Sequence, residues 1–272
     1  AAVHPGVQEI EIAGGLKGAP VEMVKCVTSD IMVPANAEII IEGEILPGET
    51  DVEGPFGENF GYMSEPWMKP VVRITAITHR KDAIYYGISS QMPPSESTVL
   101  QSTANAALIQ KILCHDLGER TVSDVFFDYT FGGQAAHGIV TMKPTFPGHA
   151  KKVGRTVAEI SSLKRITVVD EDVDSRDPVH MDWAMNARFN PARDTLIVEN
   201  NFIRMNMDPA FPLIDGKKMG SKIVIDATQE LEEAVFSLPA KETMMKALDT
   251  WKEAGLPDFD IPKRAHLRLD RS

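Results

Sequence analysis

Cysteine is scarce: only Cys26 and Cys114 occur, far apart in the chain. Neither a disulfide framework nor a CxxC redox or metal motif can be built from them. Basic charge is also short, with 28 Lys and Arg against 39 Asp and Glu and a formal net charge of -11. No basic stripe offsets that excess, which disfavours nucleic-acid backbones and anionic membrane surfaces as partners. No apolar run approaches the roughly 18 residues a membrane-spanning helix needs. The opening stretch, Ala1 to Gln8, lacks the basic-then-apolar pattern of a signal peptide. Internal repeats and low-complexity segments are missing too. These absences point to the cytoplasm, with no membrane span and no nucleic acid, and to small molecules or proteins as partners. The first residue is Ala rather than Met, as expected of a processed chain, a fragment or the partner of a missing piece.

What is present is ordinary for a globular protein: 272 residues, 43% hydrophobic and 25% charged, enough for a sizeable core and for two domains. Residues 1 to about 94 read as strands and turns, with Glu38 to Ile45, Val71 to Thr78 and Ala83 to Ile88 as strand-like runs densely punctuated by Gly and Pro. This spacing predicts part of an antiparallel sheet or barrel whose turns carry the chemistry. At Pro93-Pro94 the pattern changes. Ser95 is a candidate N-cap for a helix reaching Leu117, with Gly118 as its stop.

From Thr121 onward, strand-like runs (Val122 to Asp128, Gly138 to Met142, Arg165 to Val169, Thr195 to Val198) alternate with helical ones (Ala150 to Ser162, Val179 to Phe189), which predicts an α/β layer. A last helix, about 238–255, puts Met244, Met245, Leu248 and Trp251 to one side. The expectation is an α+β protein with a first domain over 1–94 and a second over 95–272.

The most informative stretch is Glu53-Gly54-Pro55-Phe56-Gly57-Glu58, followed by Asn59-Phe60-Gly61-Tyr62. Three glycines and a proline turn the backbone tightly, and two carboxylates flank the turn. Held in an apolar pocket, such a pair can divide its protonation states, one carboxyl donating a proton while the other stays ionised. An exposed turn with solvated glutamates is the alternative for residues of this type. Asp170, Asp172 and Asp174 mimic the start of a calcium loop, but Ser175 and Met181 stand where an EF-hand needs Gly and a bidentate Glu; they read as a helix-entry or pocket-edge loop. His79, His137, His149 and His180 show no metal-ligand spacing with another His or Cys. Trp183, Met185, Phe211 and Leu213 are candidates either for a substrate-pocket wall or for ordinary core packing. Lys217, Lys218 and Lys222 are expected to be solvated, with anion contact as the rival reading.

The run Val33-Pro34-Ala35-Asn36-Ala37-Glu38-Ile39-Ile40-Ile41-Glu42-Gly43, followed by Glu53 to Glu58, resembles the UbiD family of decarboxylases. Further matches keep the family's order through Ile77-Thr78-His79-Arg80, Gly148 to Val153, Val169 to Asp174, Trp183-Ala184, Pro191-Ala192-Arg193-Asp194, Gly220-Ser221-Lys222 and Asp226-Ala227-Thr228.

The resemblance implies a reversible, non-oxidative decarboxylase of a small aromatic or α,β-unsaturated carboxylic acid. It implies prenylated FMN as cofactor, manganese or magnesium, and potassium as a further cation. For the fold it implies part of a split β-barrel that binds the flavin, then an α/β domain whose terminal helix takes part in homo-oligomerisation. Glu53 and Glu58 match the two carboxylates of the family's Glu-Arg-Glu network, with Glu58 as proton donor and Glu53 orienting the arginine. Glu9 matches the metal-ligating glutamate beside the flavin phosphate, with Glu11 as its local rival, and Asn59 falls in the substrate pocket. The network arginine and the asparagine and histidine metal ligands lie in an amino-terminal half that this sequence does not contain, so a separate amino-terminal polypeptide is an expected partner. A non-catalytic partner subunit and a flavin-dependent reductase are the alternative functions; a reductase has no need of the acid pair.

Overall fold

A computed structural model describes residues 8–58, 60–129, 136–202, 210, 213–214, 217–229 and 236–261. The chain divides into two compact units, one built mainly from residues up to Asn105 and the other from Ala106 onward.

The first unit opens with a helix rather than the expected strand. α1 spans Glu9–Lys17. The alternation Glu9-Ile10-Glu11-Ile12 has the period of a strand, but its ends are written for a helix. The Glu11 carboxylate accepts the Gln8 N–H at 3.2 Å, and the chain leaves through Gly18 in the left-handed region. β1 (Met23–Lys25) and β2 (Met32–Pro34) form a small antiparallel hairpin. The dominant element is a ribbon of β3 (Ile39–Glu53) and β4 (Trp67–His79).

The two faces of that ribbon differ. On one, Glu42 is 5% exposed, and its carboxylate accepts from Val27 N, Thr28 N and Thr28 Oγ1 at 2.8, 2.7 and 2.6 Å. These bonds, that from the Thr28 hydroxyl first, hold its pKa below the ordinary value. On the other, the pairings Ile39↔His79, Ile41↔Ile77, Gly43↔Ile74 and Ile45↔Val72 align six aliphatic side chains. Ile39, Ile41, Ile45, Val72, Ile74 and Ile77 are all 38–63% exposed. Ala83 to Ile88, expected as a strand, makes no ladder among the described residues. It is pinned by Ile84 N donating to Glu38 Oε2 at 3.0 Å, with Ile84, Tyr85 and Tyr86 standing in solvent. No closed barrel forms among the described residues.

α2 covers Glu96–Lys111, and the division between the units falls within it. Ser95 caps it as expected: the Thr98 hydroxyl accepts from Ser95 N at 2.9 Å while Ser95 Oγ accepts from Thr98 N at 3.4 Å. Its last turn widens over Ile112–Asp116, where Leu117 N reaches back five residues to Ile112 O, and Gly118 at φ 71° ends it.

The second unit is a mixed sheet with the strand order β5 (Val122–Phe127), β6 (His137–Met142), β7 (Arg165–Val169), β10 (Lys217–Asp226), β8 (Thr195–Phe202), with β9 (Leu213–Ile214) on the outer part of β10. β6, β7 and β10 are mutually parallel, and β5 and β8 run antiparallel at the two sides. α3 (His149–Ile160) connects β6 to β7 and buries Val153, Val157 and Ala158 against Val140, Ile166, Val168 and Val224. Helix and sheet approach closely at Gly154, where an added Cβ would come within 2.3 Å of Val224. α4 (Pro178–Ala187) sits in a second cluster with Ile139, Val169, Val173 and Ala227, so both faces of the central parallel strands are covered, as their continuous apolar sequences require. A short turn of helix, α5 (Pro191–Asp194), leads into β8. The terminal helix, α6, is shorter than expected, Lys241–Glu253, and none of its residues is fully buried.

One expectation fails in this unit. Lys222 is 2% exposed rather than solvated. Its Nζ donates to Ala158 O and Ser161 O at 2.5 and 2.6 Å, satisfying carbonyls that the end of α3 leaves without helical partners. The Asp170–Asp174 loop leads into α4 and also carries an ion-pair clamp: Arg188, with 6% of its side chain exposed, reaches Asp170 and Asp172 at 2.8 Å each.

Candidate active site

Glu53 ends β3 opposite Trp67, and Glu58 lies five residues on. On an unbroken strand, residues five apart point to opposite faces. This strand is broken: Gly54 has φ 87° and precedes a cis proline, which releases the pair from that alternation. Pairing then resumes in the register it had before the break. Ser64 N donates to Phe56 O at 2.8 Å, Gly57 bridges Met63, Glu58 N donates to Tyr62 O at 3.0 Å, and Gly61 N closes a turn onto Glu58 O at 2.9 Å. The predicted turn is therefore a short hairpin arm, with Glu53 at its base and Glu58 beside its closing turn.

The arm rests against the segment before α2. Gly61 has φ 81°, a backbone angle that favours glycine, and Met92 Sδ packs over it, 2.6 Å from where a Cβ would stand. Next to this contact is an open groove of about 600 Å³ lined by Tyr86, Gln91, Met92, Val99 and Leu100 among others, a size within the range of small-molecule sites, roughly 300–1,000 Å³. Glu53 is exposed and Glu58 half-buried.

Glu9 stands exposed on the first turn of α1, while Glu11 is occupied by the cap. Among the described residues no group of three or more His, Cys, Asp or Glu side chains could hold a metal ion, so these residues do not form a metal centre by themselves. Asn59 and Phe211 lie outside the described residues, as does the side chain of Leu213. Met185 packs against the second core cluster. Trp183 stacks on His180 with centroids 5.3 Å apart and lies 4.8 Å from the Arg188 guanidinium.

The comparisons with known proteins agree with the motifs. The model of the 3-octaprenyl-4-hydroxybenzoate carboxy-lyase Rift-related domain matches residues 1–93, and that of the same enzyme's C-terminal domain matches residues 98–227. The chain belongs to the UbiD family. Among solved UbiD-class structures it is similar to HmfF from Pelotomaculum thermopropionicum in complex with FMN, with 34% identity and a TM-score of 0.78 over 94% of this chain and 55% of that one. An evolved dimeric form of HmfF in complex with prFMN matches at 34% identity and 0.72, over 88% of this chain and 51% of that one. The vanillic acid decarboxylase of Sedimentibacter hydroxybenzoicus matches at 30% identity and 0.74, over 90% and 53%. The chain thus spans about half the length of the UbiD-class proteins it matches.

Within this UbiD chain the structure gives several motif residues anchoring work. Glu38 ties Arg80, at 2.8 Å, and Ile84 N to the start of β3, and Glu42 seats the loop after β1. Asp194 accepts Arg193 Nε at 2.6 Å and Asn190 N at 2.8 Å; the Arg193 bond above all lowers its pKa. His149, 4% exposed, bonds Glu119 at 3.0 Å and receives Thr145 N at 3.3 Å. Reading residue types alone missed Ser64, 5% exposed, whose hydroxyl accepts Phe56 N at 3.0 Å. Its only signal in the sequence is a lone serine flanked by Met63 and Glu65.

Proposed function

We propose that this chain forms the carboxy-terminal part of a decarboxylase that reversibly removes carbon dioxide, without net oxidation, from a small aromatic or α,β-unsaturated carboxylic acid, using prenylated FMN. The observation that carries this reading is the hairpin arm holding Glu53 and Glu58 at its two ends in a UbiD-family chain. The FMN and prFMN complexes of HmfF support the cofactor, and the vanillic acid decarboxylase supports an aromatic acid.

When bound, the flavin supplies an electron sink for the pair released as the bond to the carboxylate breaks. Glu58 then delivers a proton from its carboxyl to the carbon that lost carbon dioxide, and takes one back in the carboxylation direction. Glu53 orients the arginine that binds the substrate carboxylate. Glu9 would supply one oxygen ligand to manganese or magnesium, and an amino-terminal half would supply the others.

The β3–β4 ribbon belongs, in this reading, to a split barrel whose remaining strands come with an amino-terminal half. The six aliphatic side chains on one ribbon face support this, since a two-stranded ribbon with an uncovered apolar face is marginal in water. α6, with Met245 and Trp251 exposed, is assigned to contacts between copies.

The test is to purify the chain with and without a co-expressed amino-terminal half, reading flavin by visible absorption and intact mass. The chain alone should bind flavin weakly, and the pair stoichiometrically. In the loaded pair, Glu58→Gln should lower decarboxylation by on the order of 10² at normal flavin content and suppress deuterium exchange at the reacting carbon. Wild-type turnover and exchange in that variant would overturn the acid assignment.

A further inference from the structure

We infer that Ser64 is a positioning residue for the Glu53–Glu58 pair, its hydroxyl standing in for a missing link of the β ladder between the two carboxylates. The inference rests on the functional reading above and adds a residue to it.

The ladder register running from Thr50↔Pro70 to Glu53↔Trp67 is the register that reappears at Gly57↔Met63. Between these two points stand Gly54-Pro55 on one side and Glu65-Pro66 on the other. Pro66, opposite Gly54, has no N–H to give, and Gly54 at φ 87° turns the facing arm out of extended geometry, so ordinary cross-strand bonding is interrupted there. Something else has to transmit the register across the gap. Phe56 and Ser64 face each other just beyond it. Ser64 N donates to Phe56 O in the usual way at 2.8 Å. The reciprocal bond, from Phe56 N, goes to the Ser64 hydroxyl at 3.0 Å rather than to a backbone carbonyl. A hydroxyl accepts there in place of a carbonyl, and burial to 5% exposure keeps water from replacing it.

The placement decides the consequence. Phe56 is three residues past Glu53 and two before Glu58, so its backbone is the segment through which the position of one carboxylate is referred to the other. The seat is also tight, because a Cβ on Gly54 would lie 3.0 Å from the Ser64 hydroxyl oxygen. Proton delivery is sensitive to displacements of this kind, with a shift of about 1 Å able to cost on the order of 10² in rate.

The experiment uses the complete, flavin-loaded decarboxylase and compares Ser64→Thr, Ser64→Cys and Ser64→Ala with wild type and with Glu58→Gln. Turnover per bound flavin should fall in the order Ser, Thr, Cys, Ala, since threonine keeps the hydroxyl and a thiol accepts weakly. Ser64→Ala should lose about 10- to 100-fold in kcat with KM and flavin content within about twofold, and deuterium exchange at the reacting carbon should fall in parallel. Should Ser64→Ala not fold, Ser64→Cys against Ser64→Thr decides. Unchanged kcat per flavin in Ser64→Ala, or in Ser64→Cys if that is the variant obtained, while Glu58→Gln is inactive, would overturn the positioning role and leave the acid assignment standing. A fully active Glu58→Gln would instead overturn the functional reading itself.

Discussion

The two units treat their aliphatic residues in opposite ways. In the second, Val140, Val157, Leu163, Ile166, Val168 and Val224 have no exposed surface at all, and each face of the central strands is covered by a helix from the same unit. In the first, six aliphatic side chains share one face of β3–β4 and stand open. The second unit covers its own core; the first carries the candidate catalytic pair beside an apolar face that stands open. Under the proposed function, that open face is where an amino-terminal half would pack, and a surface kept for a partner is not closed over beforehand.

This contrast can be broken most sharply at Arg188. Replacing it with Met strips the guanidinium from Asp170 and Asp172, and the second unit should lose about 3–5 kcal/mol, the usual cost of removing one member of a buried ion pair. Urea unfolding followed by far-UV circular dichroism checks this. A loss under about 1 kcal/mol would mean that the clamp is solvated.

Next in size is Ile74→Thr on the open ribbon face. The isolated chain should keep its stability within about 0.5 kcal/mol, as for other exposed positions. Affinity for the amino-terminal half should nevertheless fall about 10-fold or more, from the apolar area no longer buried. Titration calorimetry separates the two effects, and equal losses in both would remove the distinction between the units.

A smaller, pH-dependent effect is expected at His137. Burial, the largest influence, and the Arg165 guanidinium push its pKa down, while Asp128 pulls it up. A depressed folded pKa contributes stability that is present above the unfolded value, near 6.5, and is lost as pH falls below it toward the folded value. The urea midpoint should therefore drop between pH 7 and pH 5 in wild type and drop less in His137→Asn.

Lys222→Met should have the least effect, within about 1 kcal/mol. It removes two hydrogen bonds but also a buried charge, and the two roughly cancel. Thermal unfolding of the two proteins side by side measures it.

Much of the second unit was legible because its signals are local. Ile166-Thr167-Val168-Val169 followed by Asp170 reads as a buried parallel strand and is one. Across the division between the units, Ser95 and Gly118 bracket a helix whose ends are made by those residues. What could not be read depended on distant partners. β10 escaped notice because Lys217, Lys218, Gly220 and Lys222 hide its apolar half, and Lys222 becomes tolerable there only once the end of α3 presents its carbonyls. Asp170 and Asp172 read as part of a helix-entry or pocket-edge loop, and nothing local signalled that Arg188, sixteen to eighteen residues on, pairs with both. Ala83 to Ile88 has strand composition but no ladder partner among the described residues. α1 was missed because it lies in a stretch read as strands and turns, and its helix signals are confined to its two ends. At the candidate site the Glu53–Glu58 pair came from chemistry and resemblance together, whereas Ser64 needed the observed break in the ladder.

The strand order of the second unit also sets a timetable. β10 lies between β7 and β8 yet follows both in the chain, so β8 has no strand to pair with until residues near 226 have been made. During synthesis, the β5–β6–β7 sheet must wait with one side of β7 unpaired, exposing backbone hydrogen-bonding groups beside Ile166 and Val168. The sheet is completed by contacts between residues far apart in sequence, the kind that form slowly. A ribosome stalled before β10 would hold a nascent chain with an open sheet edge, the kind of surface that makes incomplete folds prone to aggregate.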